Sequence, residues 1–225
     1  MRRMGRWIGR LVLVGVVGAA GCAAPNSMST LADAQAAPGV WRELFRGVEY
    51  CLIDRAHPAP MRIHAVRVDL DDPEIGFVVT PANGDAPLDT FSQTTSSFLD
   101  ETDCQVAINA SPYHPVVVIE GVPQDVHGLS ASGGDVYSPP MPNFAALAIG
   151  PGNDVRVLAP GDPTGGDIRH GVGGFGLLLV DGRNVGGDGP RHPRTAVGVN
   201  AGGDRLFLLV IDGRQVGYSE GATTR

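Results

Sequence analysis

The chain has 225 residues and a formal net charge of −7, with 32 glycines, 18 prolines and 6% aromatic residues. An acidic chain lacks the basic surface that nucleic-acid backbones require, so we expect no nucleic-acid partner. All 17 basic residues are arginines, which excludes a Schiff-base lysine and a phosphate-loop lysine. The high Gly and Pro content favours a loop-rich β protein over a helical bundle.

The N-terminus has the pattern of an export signal. Four arginines, at positions 2, 3, 6 and 10, precede the apolar segment 11–20, which is too short to span a bilayer as a mature helix. Small residues then lead to a cysteine in Ala19-Ala20-Gly21-Cys22, which resembles a bacterial lipoprotein box with Cys22 as the lipidated residue. The alternative is an ordinary signal cleaved near Ala24. Both interpretations predict an exported protein, held in the cell envelope by a lipid anchor or secreted.

The composition divides the chain into three parts. Residues 1–21 are predicted to form the lipoprotein signal. Residues 22–40 are rich in Ala, Ser, Pro, Asn and Gln with little apolar periodicity, as in a flexible tether. Residues 41–225 are long enough for one domain with a full core.

Within this domain, apolar alternation and short apolar runs predict a series of strands. They cover residues 48–53, 61–70, 75–80, 106–109, 116–119, 145–149, 155–158, 176–180, 195–199 and 206–211. Residues 89–103 have helical periodicity, with Asp89 or Thr90 placed to cap the helix. The predicted fold is α+β and β-rich, with a mostly antiparallel central sheet and one or two helices.

The domain holds two cysteines, Cys51 and Cys104. Disulfides persist in exported proteins, so these two form a possible disulfide. Alternatively, Cys51 lies inside a strand as a small buried hydrophobe. Neither cysteine has a second Cys or His at the spacing that zinc prefers, so we expect no metal.

The dipeptide Asp-Gly follows an apolar run twice, in Asp181-Gly182-Arg183 and in Asp212-Gly213-Arg214. Asp-Gly between apolar runs is first a signal for a tight hairpin turn, because both central positions of a type I′ turn need positive φ. For Asp181 we therefore predict a turn. For Asp212 a turn and a functional role both remain open.

The last third of the chain carries the most specific pattern. His192-Pro193-Arg194-Thr195-Ala196 begins one strand-like run, and the next run ends in Asp212-Gly213-Arg214. This combination resembles the phosphodiester glycosidase family, over roughly residues 47–225. The resemblance implies hydrolysis of sugar-1-phosphodiester bonds in cell-envelope or extracellular glycans, with a glycan or sugar-phosphate substrate and no cofactor.

The resemblance also implies the site residues. Arg194 is expected to bind the substrate phosphate, because a guanidinium presents a planar fork to two phosphate oxygens. Its alternative is a structural ion pair. Thr195 is expected to donate its hydroxyl to substrate, and Arg214 is a second candidate for the phosphate. Asp212 is expected to be the catalytic acidic residue that directs water at the anomeric carbon.

Other polar residues lie at the ends of predicted strands. Asn109 resembles a strand-terminal asparagine of the family that would bind a sugar hydroxyl, or it caps the strand. His114, in a Pro-Tyr-His-Pro loop, is a candidate acid catalyst or substrate ligand, or an inert exposed histidine. Glu120 and Glu220, each beside a glycine turn, are possible second carboxylates.

The end of the chain departs from the family pattern. Family members continue beyond a segment like 219–224 into a helix and a strand, whereas this sequence stops at Arg225. The resemblance therefore implies a missing C-terminal segment, an exposed sheet edge and an incomplete active site. Two other functions stay open: a non-catalytic envelope lipoprotein that keeps the fold and binds glycans, and a phosphodiesterase that cuts on the phosphate side with a metal cluster.

Overall fold

The computed structural model describes residues 39–225 and the backbone of residues 10–14. The strands are β1 Arg10–Val14, β2 Arg42–Phe45, β3 Val48–Arg55, β4 Met61–Asp69, β5 Gly76–Val79, β6 Thr90–Phe91, β7 Val106–Asn109, β8 Tyr113–His114, β9 Pro123–Val126, β10 Ser130–Ser132, β11 Asp135–Ser138, β12 Ala145–Ile149, β13 Val155–Leu158, β14 His170–Gly174, β15 Leu179–Val180, β16 Arg183–Asn184, β17 Arg194–Val199 and β18 Arg205–Ile211. The helix α1 spans Thr95–Thr102, and Pro151–Asn153 form a 3₁₀ turn.

The main sheet is antiparallel and has the strand order β17-β18-β4-β3-β2. Its register aligns Val197 with Leu208 and Leu208 with Val66, and Val66 in turn pairs with Tyr50. Directly paired residues point to the same face of a sheet. The inward-facing residues of these strands therefore form one continuous apolar face.

A second antiparallel sheet, in the order β11-β10-β14-β12-β13, packs against that apolar face. Leu147, Ile149 and Val172 share one hydrophobic cluster with Val68 and Leu206 of the main sheet. The core therefore lies between two sheets, as in a sandwich. The β-rich, mostly antiparallel fold with a helix that the sequence predicted is confirmed.

A third sheet is parallel and has the order β5-β1-β7. Phe77, Val79 and Ile108 extend the main core on one side. On the other side, Val78 and Ala107 pack against a small cluster around Phe98 of α1. No helix within the described part of the chain is long and apolar enough to cross a membrane.

The helix is shorter than predicted. It begins after Thr94, whose hydroxyl accepts the N–H of Ser97, and it ends before Asp103 in the left-handed conformation. The two residues predicted to cap the helix do not lie at its start. Thr90 lies in β6, and the Asp89 carboxylate accepts the N–H of Val126 at 2.8 Å. The start was predicted wrongly because β9, distant in sequence, pairs with the residues that begin the helical pattern.

Of the other predicted strands, one is absent and one is shorter than predicted. Residues 116–119 form no strand, and Val118 and Ile119 are largely exposed. Residues 176–180 contribute only β15, which forms an exposed two-residue hairpin with β16. Asp181 and Gly182 both have positive φ at its tip, so the predicted type I′ turn is present.

The two cysteines of the possible disulfide are not bonded to each other in the structure. Cys51 and Cys104 are both buried thiols. Cys51 lies in the main sheet, where its thiol approaches the carbonyl of Leu52, whereas Cys104 belongs to the separate cluster around Phe98. Cys51 is thus a small buried residue of the sheet, the alternative that its position in a strand had suggested.

Candidate active site

Polar residues replace apolar ones at one end of the core face of the main sheet. Along β4 the inward series Val68 and Val66 continues to His64, and along β18 the series Leu206, Leu208 and Val210 continues to Asp212. His64 pairs with Val210, which in turn pairs with Thr195. Because paired residues share a face, this polar end of the core brings together side chains from three strands.

Asp212 and His64 form the centre of this polar end. Nε2 of His64 lies 3.5 Å from Oδ2 of Asp212, and the two side chains are 29% and 28% exposed. The hydrogen bond from His64 lowers the pKa of Asp212, against the opposing effect of burial, with smaller contributions from Tyr218 and Arg62. The carboxylate is therefore ionised near neutral pH and open to solvent.

Tyr50 contacts the other ring nitrogen of His64. Its hydroxyl lies 2.8 Å from Nδ1. A carboxylate only accepts hydrogen bonds, so Nε2 carries the proton that faces Asp212. In neutral His64 the Tyr50 hydroxyl then donates to Nδ1. This arrangement defines the tautomer and the orientation of the imidazole.

Arg62 and Tyr218 form a supporting layer beside Asp212. Arg62 donates from Nε to Asp54 at 3.0 Å and from Nη1 to the Tyr218 hydroxyl at 2.8 Å. Its guanidinium carbon also lies 4.9 Å from the centre of the Tyr218 ring. These hydrogen bonds raise the pKa of Arg62 above its ordinary value, so a permanent positive charge lies close to the carboxylate.

Ser219 holds the segment that follows Asp212 in place. It is fully buried, donates its hydroxyl to the carbonyl of Asp212 at 2.7 Å and accepts the N–H of Arg62 at 3.0 Å. The N–H of Asp212 donates to the carbonyl of Arg62. The chain around Asp212 is thus bonded to β4 beyond the last strand pair.

Thr195 and Asn109, two residues predicted from the sequence, are in direct contact. The Thr195 hydroxyl donates to Oδ1 of Asn109 at 2.5 Å. Asn109 is the last residue of β7, and Thr195 is the second residue of β17. This bond connects the parallel sheet to the main sheet at the polar end of the core.

Arg194 leaves β17 on the face opposite to Thr195, since neighbouring strand residues alternate. Nε donates to the carbonyl of Ala222 at 3.2 Å, and Nη2 donates to that of Pro190 at 3.4 Å. In the structure, Arg194 therefore connects β17 to the C-terminal residues by a hydrogen bond. Its phosphate-binding role stays a prediction.

Arg214 lies just beyond Asp212, at φ +61°. Nη2 lies 3.4 Å from Nδ1 of His192, and the backbone N–H donates to the carbonyl of Glu220 at 3.4 Å. Between them, Gly213 is packed so closely on Pro193 that an added Cβ would overlap the Pro193 backbone. In this second Asp-Gly-Arg the glycine permits close packing rather than a hairpin turn.

The remaining candidates lie in other surroundings. His114 is exposed in β8, where it pairs with Asp125. The Glu120 carboxylate accepts the N–H of Thr94 at 2.8 Å, and its hydrogen bonds with Thr94 lower its pKa. Glu120 thus supports the start of α1. Among residues 39–225 no group of three or more His, Cys, Asp and Glu side chains is arranged to hold a metal ion.

Sequence reasoning missed His64, Tyr50, Arg62 and Tyr218. A signal for two of them was present, because Arg62 and His64 are polar residues that continue the inward-facing series of Val66 and Val68 in β4. A polar residue at an inward-facing strand position indicates a polar end of the core. Its partners on β3 and after β18 could be found only once the register was known.

Comparison with known proteins gives the family and the fold. No curated protein matches the chain. A crystal structure of a hypothetical protein from Synechocystis aligns with a TM-score of 0.55 and 13% identity, and the match covers 85% of this chain and 55% of that one. This chain thus spans about half the length of that structure, and the likeness concerns the fold alone. The family model described as phosphodiester glycosidase matches residues 102–225. Since this match covers more than half of the chain, the protein belongs to the phosphodiester glycosidase family.

Proposed function

We propose that the protein is a hydrolase that cleaves the glycosidic bond of sugar-1-phosphodiesters in cell-envelope or extracellular glycans. Family membership supports the class of reaction. The observation that carries the proposal is the solvent-accessible pair of Asp212 and His64 at the polar end of the core, with an ionised carboxylate 3.5 Å from the imidazole. A water molecule placed at this pair has a proton acceptor beside it.

The reaction has two requirements at this site. Water attacks the anomeric carbon, the bond from that carbon to the phosphate oxygen breaks, and its electron pair leaves with the phosphate. A phosphate is a good leaving group, so the greater need is to direct the water and to stabilise the positive charge that develops on the sugar ring. The Asp212 carboxylate meets both needs, and it takes up the proton that the attacking water loses.

Neighbouring residues supply substrate contacts. Thr195 and Asn109, joined to each other at 2.5 Å, carry a hydroxyl and an amide that can exchange this bond for bonds to sugar hydroxyls. Arg214, two residues after Asp212 in the chain, and Arg194 are the candidates for the phosphate. Two donors of Arg194 contact carbonyls, while a guanidinium has five N–H donors in total.

The test is hydrolysis of an α-N-acetylglucosaminyl phosphodiester by the full chain, with the released sugar identified. Asp212→Asn is expected to lower kcat by about 10²–10⁴-fold, the usual contribution of an acid–base group. Asp181→Asn is the matched control, because it changes the same Asp-Gly-Arg sequence on the exposed hairpin and should leave turnover unchanged.

The alternative outcome has a clear meaning. A folded full chain without turnover, whose binding of the phosphodiester is nevertheless weakened by Thr195→Val, would show a glycan-binding protein that keeps the fold without catalysis. Sugar phosphate released by a metal-dependent cut on the other side of the phosphorus would instead show a phosphodiesterase.

We also propose that the protein acts outside the cytoplasm and is attached to the membrane through lipid on Cys22. The support is the sequence pattern of residues 2–22. Cys22 lies outside the described residues. Mass spectrometry of the envelope fraction should find the lipid on Cys22 in the native chain and no lipid in Cys22→Ala. Release of the unmodified native chain into the medium would contradict the anchor.

A further inference from the structure

One strand position of the parallel sheet is filled from the far N-terminus. β1 runs parallel to both of its neighbours, and Val12 pairs with Val78 of β5 and with Ala107 of β7. β5 and β7 are therefore separated by one strand position and are joined through β1. We use the name strand slot for this position between Gly76–Val79 and Val106–Asn109.

Both faces of the strand slot are covered by apolar side chains. Phe77 and Ile108 belong to the main core on one face, and Val78 and Ala107 belong to the Phe98 cluster on the other. Strands of parallel sheets that are covered on both faces are apolar at nearly every position. The slot therefore requires a short segment without polar alternation, and residues 11–14 have the sequence Leu-Val-Leu-Val.

The slot ends at a residue of the candidate site. Val14, the last residue of β1, pairs with Asn109. Asn109 in turn accepts the hydroxyl of Thr195 at 2.5 Å. Asn109 is thus joined to β1 through its backbone and to the main sheet through its side chain, and an empty slot removes the first of these two contacts.

We infer that the domain has a strand-acceptor slot between β5 and β7 whose occupant is the chain's own Arg10–Val14. The same residues lie in the segment that the sequence predicts to be the export leader. One molecule cannot use residues 10–14 as a strand and as an export leader at the same time. A segment that is paired with β5 and β7 cannot also lie in a membrane or in a signal peptidase. Removal of the leader therefore opens the slot and leaves the backbone groups of β5 and β7 that face it without strand partners.

Two claims, that the slot exists and that Arg10–Val14 occupies it, depend only on the register with which β1 pairs with β5 and β7. The effect on Asn109 deepens the proposed function and rests on it. We therefore measure the occupancy of the slot by amide hydrogen exchange, which needs no substrate, and measure the activity of the candidate site separately as turnover.

The experiment uses the full chain made without export, so that the leader is retained, and compares it with Val12→Pro and Val17→Pro. A proline in a strand paired on both sides removes a ladder hydrogen bond. Val17→Pro is the matched control, because it is the same substitution three residues beyond the end of β1. Val12→Pro should speed exchange at residues 76–79 and 106–109 by at least about tenfold. Val17→Pro should leave these amides protected.

A second measurement covers the case in which Val12→Pro unfolds the whole domain. A protease site placed between residues 23 and 38 allows the folded chain to be cut and the N-terminal piece to be exchanged for a labelled synthetic peptide of residues 8–16. The peptide should bind and protect residues 76–79 and 106–109, and a peptide with proline at position 12 should not. Equal protection with and without the N-terminal piece, or equal effects of the two prolines, would overturn the inference.

Turnover of the phosphodiester is then measured in the same samples. If the proposed function holds, the protein should still turn over substrate when the slot is empty, because lipidation at Cys22 requires removal of residues 1–21, and the added peptide should change the turnover through Asn109, which pairs with Val14. If hydrogen exchange depended on occupancy of the slot but the protein showed no turnover, the proposed function would be contradicted and the inference about the slot would still hold.

Discussion

Nε2 of His64 lies 3.5 Å from Oδ2 of Asp212, although the two residues are far apart in the chain. They meet because β4 and β18 pair over seven residues, from Arg205 opposite Asp69 to Ile211 opposite Ile63. The register continues one step beyond Ile211, where the N–H of Asp212 donates to the carbonyl of Arg62. The position of this proposed catalytic pair therefore depends on the rigidity of a sheet rather than on a mobile loop.

The first prediction concerns the pH dependence of stability. The pKa of Asp212 is lowered in the folded protein, mainly by the hydrogen bond from His64. A carboxyl with a depressed folded pKa stabilises the fold above its unfolded pKa of about 3.9, and this contribution is lost as the pH falls through the lower folded value. Between pH 6 and pH 2, the free energy of unfolding of the native chain should therefore fall more than that of Asp212→Asn.

Urea titrations at a series of pH values measure this difference. Asp181→Asn, on the exposed hairpin, is the control and should follow the native chain. Parallel curves for the native chain and Asp212→Asn would contradict the pairing of Asp212 with His64.

The second prediction concerns Tyr50. Tyr50→Phe keeps the ring and removes the hydroxyl that contacts Nδ1 of His64 at 2.8 Å. We expect a loss of about 1 kcal/mol in stability, the typical net value of one hydrogen bond. We also expect a fall in kcat and a displaced pH profile, because the hydroxyl orients the imidazole.

Tyr137→Phe separates these two effects. The Tyr137 hydroxyl donates to the carbonyl of Thr80 at 2.8 Å, in a different part of the fold, and burial raises its pKa to about 12. This variant should lose similar stability and keep the native pH profile of turnover. A native pH profile in Tyr50→Phe as well would assign Tyr50 a purely structural role.

The third prediction concerns the bond between Thr195 and Asn109. Thr195→Val keeps the shape of the side chain and removes the donor to Oδ1 of Asn109, whereas Thr195→Ser keeps the donor. Stability should fall by about 1–3 kcal/mol in the valine variant, because it leaves a partly buried amide oxygen without its partner. The serine variant should retain most of the stability and the turnover.

Chemical denaturation and the phosphodiester assay measure both quantities. If the serine variant lost as much activity as the valine variant, the methyl group rather than the hydroxyl of Thr195 would be the important part.

The fourth prediction concerns Ser219, which is fully buried and bonded to both Asp212 and Arg62. Ser219→Ala removes one donor and one acceptor and leaves the N–H of Arg62 unsatisfied in a buried position. We expect a loss of about 1–3 kcal/mol in stability. Turnover should also fall, because the segment that carries Asp212 loses its attachment to β4.

Ser132→Ala is a matched control, since the Ser132 hydroxyl donates to the carbonyl of Val79 at 2.6 Å and does not contact the segment after β18. Its stability should fall without a change in the KM or kcat of the protein that remains folded. Equal kinetic effects of the two alanine variants would argue against a specific role of Ser219 in positioning Asp212.

Local sequence pattern was sufficient for about half of the strands that the structure describes. The alternation in β4 and the apolar runs of β12 and β18 mark strands because the apolar residues of a strand are the ones that become buried. The pattern Pro193-Arg194-Thr195 followed by Asp212-Gly213 was also sufficient to find the family. Failures occurred where a distant segment decided the outcome, as when β9 paired with the residues expected to begin the helix.

The composition and the local pattern of this sequence by themselves determined a β-rich, arginine-only, acidic domain and placed Thr195 and Asp212 at strand ends. Only the tertiary structure decided that Asp212 meets His64 and Tyr50, that Thr195 bonds Asn109, and that Arg194 lies on the opposite face. The physical reason is that register between strands is a non-local property. It follows from how whole apolar faces pack together, and a shift of one residue would move every one of these side chains to the other side of the sheet.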